Sequence, residues 1–119
     1  MRPACFTAAV VVTVLSACSS ASVPVQVIKT PTPSNANEVV IYEYTFRPET
    51  LTVSVGATVT WVNRDMALHT ATHRTFGAEP FDSERMPVNA TFEHKFRTAG
   101  SYDYLCIYHG GMRGRIVVQ

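Results

Sequence analysis

Tyr102-Asp103-Tyr104-Leu105-Cys106-Ile107-Tyr108-His109-Gly110-Gly111-Met112 decides how this chain is read. Its first half alternates, with Tyr102, Tyr104 and Cys106 on one face and Asp103 and Leu105 on the other, as in a half-buried β-strand. The aromatic face belongs in a core, so the strand delivers a thiol to the core's end. An imidazole and a thioether follow at three-residue intervals. Thiolate, imidazole and thioether are the soft and borderline donors that suit copper. A second imidazole completes such a set, and His69, at the start of another strand after the loop Arg64 to Leu68, is the best placed.

Outward from that stretch, short β-branched and aromatic runs alternate with turn residues. Val39 to Tyr44, Leu51 to Val55, Val59 to Asn63, His69 to Arg74, Phe92 to Phe96, Ser101 to Cys106 and Arg115 to Val118 read as strands. Gly56 and Thr98-Ala99-Gly100 read as turns, and no convincing helix intervenes. This spacing predicts an all-β fold, a small two-sheet antiparallel Greek-key sandwich of about seven to eight strands over residues 38–119. The polar segment Thr75 to Asn89 is its long crossover, and two strand ends can meet at one pole to form the site. Gly110, Gly111 and Gly114 are expected to give the Cys-His-Met loop its backbone freedom.

The first 17 residues read as a signal segment: Arg2, then the uncharged apolar run Ala4 to Ala17. Leu15-Ser16-Ala17-Cys18 resembles the lipobox of bacterial lipoproteins, which implies cleavage before Cys18 and lipidation of its thiol. An ordinary secretory signal with a soluble periplasmic or secreted product is the alternative. Residues 18–37 are rich in Ser, Thr, Pro and Asn and read as a flexible linker with a reach of about 25 Å. Val25 to Ile28 is its one candidate edge strand. The expected location is therefore the cell envelope, with the domain tethered to a membrane by lipid. Cys5 leaves with the signal and Cys18 is capped, so Cys106 is the only thiol of the folded part and has no partner for an internal disulfide.

The 119 residues carry a net charge of +1, which gives nucleic acid no electrostatic hold. No phosphate-binding glycine loop is present. A cysteine hydrolase needs a cleft and an oxyanion hole that so short a chain does not offer convincingly. No His-x-His pair supplies the further sites of a multicopper oxidase, and one thiol cannot bridge a dinuclear centre. Zinc on His69, Cys106 and His109 is chemically possible. Met66 and Met86 are rival thioethers without the loop spacing, and His73 and His94 read as structural.

From about Val39 to Gln119 the chain resembles the cupredoxins, the type 1 blue-copper proteins. The resemblance rests on Phe46-Arg47-Pro48, Gly56 to Asn63, Asp65, His69, Gly100-Ser101-Tyr102 and the Cys-His-Met loop. The Cys-x2-His-x2-Met spacing is most similar to the amicyanin group among plastocyanin-like proteins. It implies one copper ion, with His69, Cys106 and His109 equatorial and Met112 axial. It implies that Trp61 is core near the site and that the Thr70 backbone N–H bonds the Cys106 sulfur. It also implies a one-electron carrier, not an enzyme, a monomer serving transient redox proteins. Electrons would pass through His109 and a patch of Met66, Ala67, Leu68, Gly110 and Gly111. A copper storage or delivery protein with the same ligands is the alternative. The chain departs from the family at Tyr108, where Pro is usual, at Leu105, and at Gly110-Gly111, where bulkier residues stand.

Overall fold

A computed structural model describes residues 20–75 and 79–119; the expected signal segment and Cys18 lie outside these residues. Among them run nine strands: β1 (Glu38–Tyr42), β2 (Thr45–Arg47), β3 (Thr50–Val53), β4 (Thr58–Asn63), β5 (Thr72–His73), β6 (Phe81–Asp82), β7 (Thr91–Lys95), β8 (Gly100–Leu105) and β9 (Arg113–Val118). They form two sheets, ordered β2-β1-β4-β7 and β3-β9-β8-β5-β6.

The all-β sandwich expected from the strand spacing is present, with three differences. Its sheets are mixed rather than antiparallel: β1 pairs parallel with β4, and β3 pairs parallel with β9. The cause is that β3 crosses to the opposite sheet, so the chain returns to the first sheet in β1's direction. The strand count is nine, because the Val39–Tyr44 run breaks into a hairpin and the long crossover contributes β6 and a bridge between Met86 and His69. The strand expected from His69 to Arg74 shrinks to Thr72–His73. Val25 to Ile28 forms no strand; Val25 is 89% exposed.

Alternation explains the burial of β8. Tyr102, Tyr104 and Cys106 are buried while Asp103 and Leu105 face solvent. Trp61 on β4 is fully buried at the centre, 5.2 Å from Phe81 and edge-on to Tyr104 at 5.5 Å between ring centroids. Each such buried side chain contributes about 1.5–3 kcal/mol by removal from water, with roughly 0.5–1.5 kcal/mol more per well-oriented aromatic pair. His73 is buried and stacked on Phe81, and His94 packs against Phe81 and Phe96, both structural positions.

The glycines of the Cys-His-Met loop act differently from expectation. Gly56 and Gly100 are the two described glycines at positive φ, so Gly110, Gly111 and Gly114 are not needed for a left-handed backbone. Gly114 is needed for space: it pairs with Tyr104, and a Cβ there would lie 2.5 Å from the Tyr104 hydroxyl oxygen. Four described non-glycine residues take positive φ, Glu43, Tyr44, Glu84 and Asn89, and the first two, at +51° and +57°, form the two-residue turn joining β1 to β2. That conformation favours Asn-Gly, and holding larger residues there costs about 1–3 kcal/mol each.

Candidate metal centre

Cys106 follows directly on β8, and β9 begins one residue after Met112, so β8 and β9 hold the two ends of the loop. The loop closes on itself. The Cys106 N–H donates to Met112 O (3.1 Å), and the Met112 N–H donates to His109 O (3.0 Å). Met112 is buried in the same core cluster as Cys106. Opposite the loop, His69 is fully buried and exchanges backbone hydrogen bonds with Met86.

Donor atoms from both sides converge. Cys106 Sγ lies 3.7 Å from His69 Nδ1 and 3.5 Å from His109 Nδ1, and all three lie within 4.8 Å of one another. With metal–thiolate and metal–imidazole bonds of about 2.3 and 2.0 Å, as for zinc, a shared ion sets such donors roughly 3.5–3.8 Å apart. The residues therefore fit a metal ion. The thiol is 1% exposed and has no disulfide partner among the described residues. The Thr70 backbone N–H points at Sγ (3.4 Å), and the Thr70 hydroxyl accepts the Ile107 N–H (3.0 Å), tying the two sides of the site together.

The sequence and the fold agree with known proteins. Residues 34–119 match the model of a family described as copper-binding proteins of the plastocyanin/azurin family. The chain belongs to that family. Its cofactor is copper, one ion in this cupredoxin domain. Amicyanin of Paracoccus versutus is 33% identical over 89 residues, covering 73% of this chain and 67% of the relative. A reduced amicyanin variant superposes with a TM-score of 0.67 at 32% identity, covering 74% of this chain and 86% of the other. The copper-containing nitrite reductase of Thermus scotoductus superposes at 0.65 with 29% identity, but over only 22% of its own length.

Two parts of this cupredoxin's site carried no assigned role in the sequence reading. The first is the Asp65 carboxylate, almost fully buried. It accepts the His69 Nε2–H (2.8 Å) and the backbone N–H groups of Glu43 (2.7 Å) and Tyr44 (2.9 Å). Burial alone would raise its pKa, but the two amides and His69 outweigh it and hold the carboxyl below its usual range. Burial pushes the His69 imidazole down, against the pull of Asp65 upward. A neutral imidazole that donates Nε2–H has Nδ1 free as a ligand atom. Asn63 shapes the loop in between, donating to Ala67 O and Met86 O and accepting the Asp65 N–H. An acidic residue four before a candidate ligand is the sequence signal, though only the fold shows that they meet. The second part is Tyr44, whose ring stands edge-on to His69 (5.4 Å) and His109 (4.9 Å).

Replacing Asp65 by Ala removes the acceptor for His69 Nε2–H. Copper affinity should fall by about 10–100-fold, the range for ligand-supporting hydrogen bonds. Competition titration against a chromophoric chelator measures this, and unchanged affinity would mean that Asp65 does not hold the ligand.

Proposed function

We propose that this protein is a one-electron carrier whose copper would be held by His69, Cys106, His109 and Met112, with Met112 supplying the soft, weaker thioether donor. The observation that carries this reading is the convergence of one buried sulfur and two imidazole Nδ1 atoms beside a ring, His109, that is only partly buried. Copper bound by such a set supplies a single electron by cycling between Cu(I) and Cu(II). The chain's part is to hold the donors. The end of β8 fixes Cys106, the bridge to Met86 fixes His69, and the Thr70 amide bonds the sulfur and tunes the potential through it.

His109 is the natural route to solvent. Met66 is 88% exposed, Leu68, Gly110 and Gly111 are also exposed, and Ala67 is half-buried. These residues form a small, mostly apolar surface suited to brief redox contacts of less than about 1,200 Å². The sulfur is too deeply buried to meet a substrate, which favours a carrier over an enzyme. The copper-loaded protein should bleach and recover its visible colour reversibly with one electron per chain in a spectroelectrochemical titration. Ready loss of copper to a competing chelator in both oxidation states would favour a storage or delivery role.

The location we infer is the periplasmic side of the cell envelope, with the domain anchored to a membrane by lipid on Cys18. Residues 20–33 have no regular structure and are almost wholly exposed, as a tether requires. Mass spectrometry of the mature N-terminus should find acylated Cys18 in the membrane fraction. Cleavage elsewhere, without acyl mass, would make the protein soluble in the periplasm or secreted.

A further inference from the structure

The turn between β1 and β2 is made of residues that its conformation disfavours. Glu43 and Tyr44 both sit at positive φ, where a two-residue hairpin turn ordinarily takes Asn-Gly. Such backbone persists where the surroundings impose it, and it clusters where it serves a site. Here one carboxylate imposes it. Asp65 Oδ1 accepts the Glu43 N–H, and Oδ2 accepts both the Tyr44 N–H and the His69 Nε2–H. The turn thereby sets the Tyr44 ring nearly perpendicular to both imidazoles, at 81° to His69 and 87° to His109. Among the described residues no other ring meets both.

Beyond its own loop His109 has little to hold it. Its backbone N–H makes a long bond to Cys106 O (3.4 Å), its carbonyl accepts the Met112 N–H (3.0 Å), its Nδ1 lies 3.5 Å from Cys106 Sγ, and Gly110 and Gly111 border open space. We propose that Tyr44 is a positioning residue: a brace, locked by Asp65, that holds the His109 loop and His69 in register from a neighbouring hairpin. It supplies the stiffness that the loop's own sequence lacks. The inference rests on His69 and His109 being the copper ligands, but the brace itself is a property of the copper-free protein.

Tyr44→Gly and Tyr44→Phe separate this role from a merely structural one. Glycine relieves the backbone at φ +57°, so heat stability of the copper-free protein should hold or rise. Meanwhile NMR relaxation should show the Ile107 to Gly111 amides and the His109 ring becoming mobile, and copper affinity should fall roughly tenfold. Tyr44→Phe keeps the ring and should match the wild type in all three measurements. The brace is overturned if Tyr44→Gly leaves relaxation of the loop unchanged, or if Tyr44→Phe loosens it as much as glycine does. A loosened loop with unchanged copper affinity supports the brace and counts instead against His69 and His109 as ligands.

Discussion

Cys106→Ser should abolish the intense visible colour of the copper-loaded protein while leaving the fold in place. The colour of a copper–thiolate site comes from charge transfer out of sulfur, and a hydroxyl is a poor soft donor. Serine is slightly smaller than cysteine, and its oxygen can still accept the Thr70 N–H that now points at the sulfur. The strand that carries it is fixed independently by six register pairs with β9, from Gly100 to Leu105. Far-ultraviolet circular dichroism should therefore be unchanged while absorption in the visible is lost. A serine variant that stays strongly coloured would remove Cys106 from the site. A variant that unfolds would show that the sulfur's burial, at 1% exposure, matters more to stability than the flanking ladder.

Gly114→Ala should be the most damaging small substitution. A methyl at Gly114 would meet the Tyr104 ring at 2.8 Å from Cε1 and 2.5 Å from Oη. Three rings crowd it within the core: Phe46 lies 4.6 Å away between centroids, Trp61 5.5 Å and Phe81 5.9 Å. Overpacking of this kind costs about 1–3 kcal/mol or more. In a domain of this size that lowers the melting temperature by roughly 4–24 °C. Tyr104 is two residues from Cys106 on the same face, so the displaced strand should also shift the visible band. Gly111→Ala is the control. Its Cβ would meet nothing within 4 Å, and calorimetry of the copper-free protein should show no change. Equal melting temperatures for the two variants would mean that Tyr104 can yield.

Much of the site could be read from the sequence because its donors sit at short, fixed spacings on a strand end and its loop. Alternation along Tyr102 to Cys106 fixed which way the sulfur faces, and the burial of Tyr102, Tyr104 and Cys106 follows it. What could not be read depended on separations of about twenty residues or more. Asp65 meets Glu43 and Tyr44 only because β1 and β4 run side by side in parallel, and local pattern gives no sign of that pairing. The turn at Glu43-Tyr44 was hidden for the opposite reason. Its residues favour a continuing strand, and the Asp65 carboxylate overrides them. β6 was missed because two residues, Phe81 and Asp82, are too few to show a period. Gly114 was assigned to flexibility because glycine is usually required for φ, whereas here the missing Cβ is what matters.

X-ray absorption at the copper edge, on the oxidised and fully loaded protein, reads the ligand set directly. One short sulfur contact and two imidazole nitrogens around a single copper ion are the expected result, with the sulfur lost in Cys106→Ser and one nitrogen lost in His69→Ala. A copper ion surrounded only by nitrogen and oxygen, or one whose spectrum is unchanged in either variant, would contradict the site built from His69, Cys106 and His109.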